Sequence, residues 1–363
     1  MIQRSFSLTS RGAAILAAVL STGMLAAQPE PAAASKSDGP YVVPKTAWGA
    51  PDLQGTWTSD DMRGVPFERP KKFGTRATLT EDELKEREKS VENSEEFVDT
   101  GGKDHSPAYS EIQEKSKGQA TTVTAKAVDT VPVPLHWGEF ARRASHQSSQ
   151  IVDPPDGRIP ALTPEAQARL DAKMKLRRDP IPASYLNWSD YDRCISRGVA
   201  GSILPVVYGN GLEIVQSPGY VAIRYEMVHD VRIIPTDGRP HIGSKILSYM
   251  GDAVGHWEGN TLVVETTNLL GGTLAIGANG DGGAPYSDEM KITERFTRVA
   301  PNAIDYRMTV NDPKTYTAPW TVAFPITHEP GYELFEYACH EGNTAIRGYI
   351  ETSRFERAHP KVK

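Results

Sequence analysis

The residues of this chain with most scope for chemistry are its nine histidines, fourteen tyrosines and two cysteines. Read at a period of two, residues 223–233 put Ile223, Tyr225, Met227, His229, Val231 and Ile233 on one face. Arg224, Glu226, Asp230 and Arg232 fall on the other. The first face is apolar apart from its Tyr and His, so it is expected to point into a core, with the charged row outside. A tyrosine and a histidine four residues apart in an apolar interior can serve as general acid and base. The plainer reading, two hydrogen-bonded core residues, stays open beside it.

A second constellation lies in residues 254–269. Gly259-Asn260 between two β-rich runs suits a two-residue hairpin turn. Glu258 then faces Thr261, Trp257 pairs with Leu262, and His256 pairs with Val263. His256 and Glu265 become diagonal neighbours, a base and its orienting carboxylate, or else two members of a solvated face. Trp257 and Asn268 share the opposite row, with Asn268 a hydrogen-bond donor at the end of it.

Three loops add charge near strand ends. Arg193 precedes Cys194, Arg239 follows the Asp237-Gly238 turn, and His340-Glu341 follows Cys339. An Arg beside a His/Glu pair could hold a carboxylate or a phenolate. Taken singly, each loop also reads as ordinary turn chemistry. No HExxH occurs, and the histidines miss the standard zinc spacings. A metal held by His229, His256 and His340 would need three scattered placements to converge, so neither metal nor cofactor is expected. GxGxxG, GxxxxGK[ST] and GxSxG signatures are missing too.

The elements that must position these groups are mostly strands. Short β-rich runs separated by Gly, Pro, Asn and Asp turns occupy 212–216, 220–234, 254–258, 261–269, 290–299, 304–310, 320–326 and 332–339. About eight antiparallel strands with hairpin connections predict an up-and-down, lipocalin-like barrel over 191–357, with an open sandwich as the alternative. Residues 35–190 are polar and Pro-rich and read as an extended, partly helical arm wrapping that barrel. Thr80 with Glu83 forms a capping box for a helix from Glu81, and Thr163-Pro164-Glu165 starts a second running to about Arg177. Residues 1–34 read as an export signal, with Arg4 and Arg11, an apolar run too short to span a bilayer, and small residues after it. That places the mature chain in the periplasm, free of the membrane. In such a compartment Cys194 and Cys339 are expected to pair, which contributes on the order of 4 kcal/mol in the loop-entropy model. The net charge of −6 argues against a nucleic-acid partner. Oligomeric state is left open.

Several stretches carry a resemblance: WGAPDLQGTWT at 48–58, DYDRCISRG at 190–198, YEMVHDVRIIPTDGRPH at 225–241, YMGDAVGHWEGNTLVVETTNL at 249–269, DPKTYTAPWTV at 312–322 and YACHEGN at 337–343. Together they resemble a large family of exported bacterial proteins, mostly hypothetical. More weakly, the chain is similar to sphingomonad phenylcoumaran decarboxylases and γ-formaldehyde lyases of lignin-dimer catabolism. That likeness implies a cofactor-independent lyase that removes formaldehyde or CO2 from a phenolic dimer. Ionising the phenol opens the dihydrofuran ring to a quinone methide; a base removes the side-chain hydroxyl proton, or the carboxylate fragments, and the ring rearomatises. Tyr225 and His229 are the first acid/base candidates and His256 with Glu265 the second. Arg193, Arg239, Trp257, Asn268, His340 and Glu341 are the substrate-binding candidates. The rival expectation is a barrel that binds an aromatic or apolar molecule without changing it.

Overall fold

The computed structural model describes residues 41–99, 141–177, 179, 184–206, 208–272, 274–277, 282–328 and 331–360. The export-signal expectation therefore lies outside the described residues. The fold is mainly antiparallel β. Its strands are β1 (Gly55–Thr58), β2 (Ile151–Asp153), β3 (Gly211–Ser217), β4 (Tyr220–Tyr225), β5 (Val231–Pro235), β6 (Asp252–Glu258), β7 (Thr261–Thr267), β8 (Lys291–Ala300), β9 (Ala303–Asn311) and β10 (Trp320–Thr327). The helices are α1 (Glu81–Asp99), α2 (Pro164–Arg177), the single turn α3 (Gly198–Gly201) and α4 (Ala345–Ala358).

Hydrogen bonding gives the order β5-β4-β3-β1-β10-β9-β8-β7-β6, with β2 beside β10. Read around a circle this is chain order, so the sheet is an up-and-down barrel of nine strands, nearly closed. Nine is odd, and every bonded neighbour is antiparallel. Alternation around an odd ring leaves one neighbouring pair pointing the same way, and here it is β5 and β6. They lie side by side without a shared ladder. Gly255 of β6 allows the approach: a Cβ there would sit 2.9 Å from Ile234 Cγ2 of β5.

The arm does not merely wrap the barrel. Its β1 is a stave of the wall between β3 and β10, held by Gly55↔Ile214 through Thr58↔Gly211 and closed by the single pair Thr58↔Thr327. Gln216 fixes the entry to β1, accepting from Leu53 N at 2.7 Å and donating to Pro51 O at 3.0 Å. A division at residue 190 therefore cuts the sheet. Both expected helix starts are present. Thr80 N donates to Glu83 Oε2 at 2.8 Å while Glu83 N donates to Thr80 Oγ1 at 3.4 Å, and Ala166 N donates to Thr163 Oγ1 at 3.1 Å.

Side chains fill the barrel. Trp57, Ile214, Ile223, Leu262, Val264, Phe296, Tyr306, Phe324 and Ile326 are buried in one cluster. Tyr306 packs its ring between Phe296 at 4.9 Å and Phe324 at 5.3 Å. Burying each such side chain is worth roughly 1.5–3 kcal/mol.

The stretch 220–234 is not one strand, which corrects the face assignment made from alternation. β4 stops at Tyr225, a turn occupies 226–230, and β5 starts at Val231. The seven-residue step from Tyr225 to Arg232 brings an odd-numbered and an even-numbered position to the same face. Arg232 and Ile234 are buried, whereas Val231 is 50% and Ile233 57% exposed. Residues 332–339 are not a strand either, and Ala345–Ala358, within the span expected to be barrel but for its last residue, is the helix α4.

Candidate functional site

At the centre of the barrel lies a buried polar network. Arg232 donates to both Glu294 oxygens at 3.1 and 2.6 Å, to Tyr225 Oη at 3.1 Å and to Thr266 Oγ1 at 2.9 Å. Tyr306 donates to Glu294 Oε1 at 3.0 Å. The side chains of Arg232 and Glu294 are 2% and 0% exposed. Burial, aided by the Glu294 charge, pushes the Tyr225 hydroxyl up to about 12 against the pull of Arg232. Tyr225 thus faces inward as expected, but it is sealed among partners and holds its proton.

His229 is not with it. It is exposed in the 226–230 turn, where Val228 (φ 62°) and His229 (φ 45°) both take the left-handed conformation. Tyr225 N donates to Asp230 O at 2.9 Å, closing the turn. Histidine tolerates positive φ, but a β-branched valine there is a genuine outlier. Such backbone persists where surrounding structure enforces it. Glu226 supplies part of that enforcement, accepting from Tyr332 Oη at 2.5 Å and Phe335 N at 3.3 Å. Asp230 supplies more, accepting from Ser196 Oγ at 2.8 Å. Burial raises the Asp230 carboxyl, and the Ser196 bond opposes the rise.

Two chain segments close over this turn, and a disulfide joins them. Cys194 and Cys339 are bonded with Cα atoms 5.6 Å apart, as their number and the export reading lead one to expect. Asn343 Nδ2 donates to Asp192 O at 3.0 Å across the same junction. Between the segments lies an open cleft of about 530 Å³ lined by Tyr191, Tyr208, Tyr337, Asp192, Glu336 and Glu341, among others. The Tyr191 hydroxyl donates to that of Tyr208 at 3.0 Å, and Tyr208 stacks on Tyr337 at 5.9 Å with 21° between the rings. Arg197 lies over the Tyr191 ring at 4.9 Å and donates to Tyr208 O and Gly209 O. Tyr337 pairs with Met227 in the strained turn. Burial and the Tyr191 bond raise the Tyr208 hydroxyl well above its ordinary value, so it acts as a proton donor or acceptor of hydrogen bonds rather than as a phenolate.

The other candidates scatter. His256 and Glu265 are diagonal in the register expected, Trp257↔Leu262 and His256↔Val263. They do not join, however. His256 Nε2 is 3.1 Å from Glu258, and Glu265 pairs with Lys291 at 2.5 Å, both on the outer face. Trp257 borders a small cleft of about 170 Å³ with Trp48 and Tyr220. Arg239 is exposed and tied to Asp237 and Tyr220, at the far end of β5 from the turn. Asn268 is buried, donating to Gly243 O and Ile246 O, so it anchors a loop. Arg193 pairs with Asp190 and sits over the Tyr185 ring. Of the three charged loops, 191–194 and 339–343 meet at the tyrosine cleft, and 237–241 does not. Glu341 lines the cleft; His340 is exposed beside it. Among the described residues, no three His, Cys, Asp or Glu side chains group as a metal would need.

Sequence reasoning missed Tyr208 and Tyr337. Both lie in loops, where no periodicity marks a face, and only their closeness to the cysteine-bearing segments hinted at their meeting. Comparison with known proteins finds no matching family model, no matching curated protein and no matching solved structure.

Proposed function

We propose that this chain works outside the cytoplasm, in the periplasm, as a binding protein for a phenolic aromatic small molecule held in the tyrosine cleft. The observation that carries this is the trio Tyr191, Tyr208 and Tyr337, preset by a hydroxyl–hydroxyl bond, a ring stack and a disulfide. Stacking rings offer a flat ligand two faces, and Asp192, Glu336 and Glu341 offer acceptors for its hydroxyl groups. Export is supported by the N-terminal sequence and by the disulfide. Among the described residues, no helix is long and apolar enough to cross a membrane.

A second reading is favoured by the strained turn beside that cleft. A cofactor-independent carbon–carbon lyase, losing formaldehyde or CO2 from a lignin-derived phenolic such as a phenylcoumaran, would place its acid/base chemistry here. The groups at hand are His229, Asp230 with Ser196, Tyr208 and Glu341. Tyr225 is too enclosed to meet a substrate.

One experiment addresses both. The mature protein is titrated with a panel of phenolic lignin dimers, and each mixture is then followed by mass spectrometry. Saturable binding that drops about tenfold in Tyr337→Ala, with ligand mass unchanged over hours, supports the binding reading. Loss of a formaldehyde or CO2 mass supports the lyase. An unchanged affinity in Tyr337→Ala rejects the cleft for either role.

A further inference from the structure

The tyrosine cleft has one sign of charge. Asp192, Glu336 and Glu341 line it, and among the described residues no Lys, Arg or His side chain does. The three carboxylates are not equivalent. Asp192 is balanced from outside, since its Oδ2 accepts from Ser189 N at 3.0 Å and lies 3.5 Å from Arg177 Nη2. Glu336 and Glu341 are exposed, and among the described residues their side chains have no ion-pair or hydrogen-bond partner. One cation stands behind the wall. Arg197 is 2% exposed, donates to Tyr208 O and Gly209 O, and lies against the Tyr191 ring at 4.9 Å. A ligand in the cleft therefore meets that ring and not the guanidinium.

Exposed carboxylates by themselves make only a solvated surface. Here they edge a concave wall of tyrosine rings, and the rings favour the same kind of guest. The face of a tyrosine ring carries partial negative charge and attracts a cation. Tyr337 stacks on Tyr208 yet remains 38% exposed, so part of its surface is open to a ligand. Rings and carboxylates thus act with one sign, and a cleft of one sign concentrates its field on what enters. A carboxylate entering the same space meets Glu336 and Glu341 as like charges, with no cation in the lining to receive it.

We propose, resting on the reading of this cleft as a phenol site, that its preferred ligands are phenolic amines and that phenolic acids are excluded. The phenol ring packs on the tyrosines, the protonated amine meets Glu336 and Glu341, and Asp192, already balanced by Arg177, is left as an acceptor for the phenol hydroxyl. Selectivity comes from both directions at once: attraction for the cation and repulsion of the anion.

The test uses the mature protein with its disulfide intact and three probes of similar size: tyramine, 4-hydroxyphenethyl alcohol and 4-hydroxyphenylacetate. They share the phenol and differ in the charge of the other end. Binding is followed by calorimetry at low and high salt. Tyramine should bind about tenfold more tightly than the alcohol, and the acid more weakly than either. The lead of tyramine should shrink as salt rises. Glu336→Gln combined with Glu341→Gln keeps the acceptor oxygens and removes the charge; it should cut that lead to about twofold while leaving thermal unfolding unchanged. All three affinities should fall in Tyr337→Ala. Equal binding of the probes, with that loss in Tyr337→Ala, overturns the charge preference and leaves the phenol site standing. A tyramine lead that survives the double Gln variant overturns it as well, since the charge would then act from elsewhere. No binding of any probe at millimolar concentration also overturns it; the phenol site falls with it only if the lignin dimers fail to bind too.

Discussion

Replacing Arg232 by Met should destabilise the fold by about 3–5 kcal/mol, the usual cost of stranding one member of a buried ion pair. Arg232 makes hydrogen bonds to Tyr225, to Thr266 and to both oxygens of Glu294. Without it, Glu294 keeps only the Tyr306 hydroxyl, at 3.0 Å, inside a barrel that gives it no water. The pair itself need not stabilise the fold, because taking both charges out of solvent costs nearly as much as their attraction returns. Arg232→Met with Glu294→Leu should therefore recover most of the loss, to within roughly 1–2 kcal/mol of the parent. Urea unfolding followed by tryptophan fluorescence, with the disulfide intact, measures all three proteins. A double variant as unstable as the single one would refute the reasoning, since the penalty would then come from lost packing and not from an orphaned charge. A mild single variant would show that water reaches Glu294 and that the barrel is not sealed.

Further expectations follow from the same geometry. Tyr225→Phe should cost about 1 kcal/mol, one hydrogen bond's worth, and leave ligand binding unchanged; impaired binding would return this residue to the functional site. Because burial raises Tyr225 to about 12, its neutral form contributes stability that is complete below about pH 10 and is lost as pH climbs towards 12, which alkaline melts can follow. Glu83 has the opposite sign. Its Arg76 partner and the Thr80 amide hold it at about 2, so its contribution is present above the ordinary carboxylate range and disappears as pH falls through that window, visible as loss of helical signal in α1. Gly255→Ala should destabilise by about 1–3 kcal/mol, because the new Cβ meets Ile234 Cγ2, and Ile234→Ala, which removes that methyl group, should cost less in the Gly255→Ala background than in the parent. Reduction of the disulfide, which spans 145 residues, should cost about 5 kcal/mol in the loop-entropy relation and should abolish binding in the tyrosine cleft before the barrel unfolds.

The barrel was legible because its strands report themselves locally. The Gly259-Asn260 turn fixed the β6–β7 register to the residue, and it stands as expected. Alternation failed where it was carried across a turn, and at 332–339, where no strand forms. Nothing in the run from Tyr220 to Ile234 contains a Gly, Asn or Pro to mark the break, and the chain turns instead through Val228 and His229. Turn chemistry was invisible because these residues adopt it under outside constraint, from Glu226, Asp230 and the segments above. The same blindness hid β1, whose four residues have too little length for a period to show. The disulfide was legible from number and compartment alone, but the tyrosines it brings together are a consequence of the closed fold.

The odd strand count ties these features into one cause. A ring of nine antiparallel staves must place β5 beside β6 in the same direction, and a parallel neighbour cannot be reached by a hairpin. The chain therefore has to return across the barrel through residues 236–251, a link in which Asn268 holds Gly243 and Ile246 from β7's end. No ladder joins β5 to β6, so the hold on β5 comes from β4 on one side and from inside the barrel. Arg232 supplies the inside hold, reaching across to β7 and β8 through Thr266 and Glu294. A charged side chain stands in the core here because it cross-braces the one seam that backbone hydrogen bonds leave open. The tight turn before it, with its strained valine, is what delivers that arginine inward. Of the residues a sequence reader would first choose for chemistry, Tyr225 is thus spent on this brace, while His229, His256 and Glu265 stand outside it.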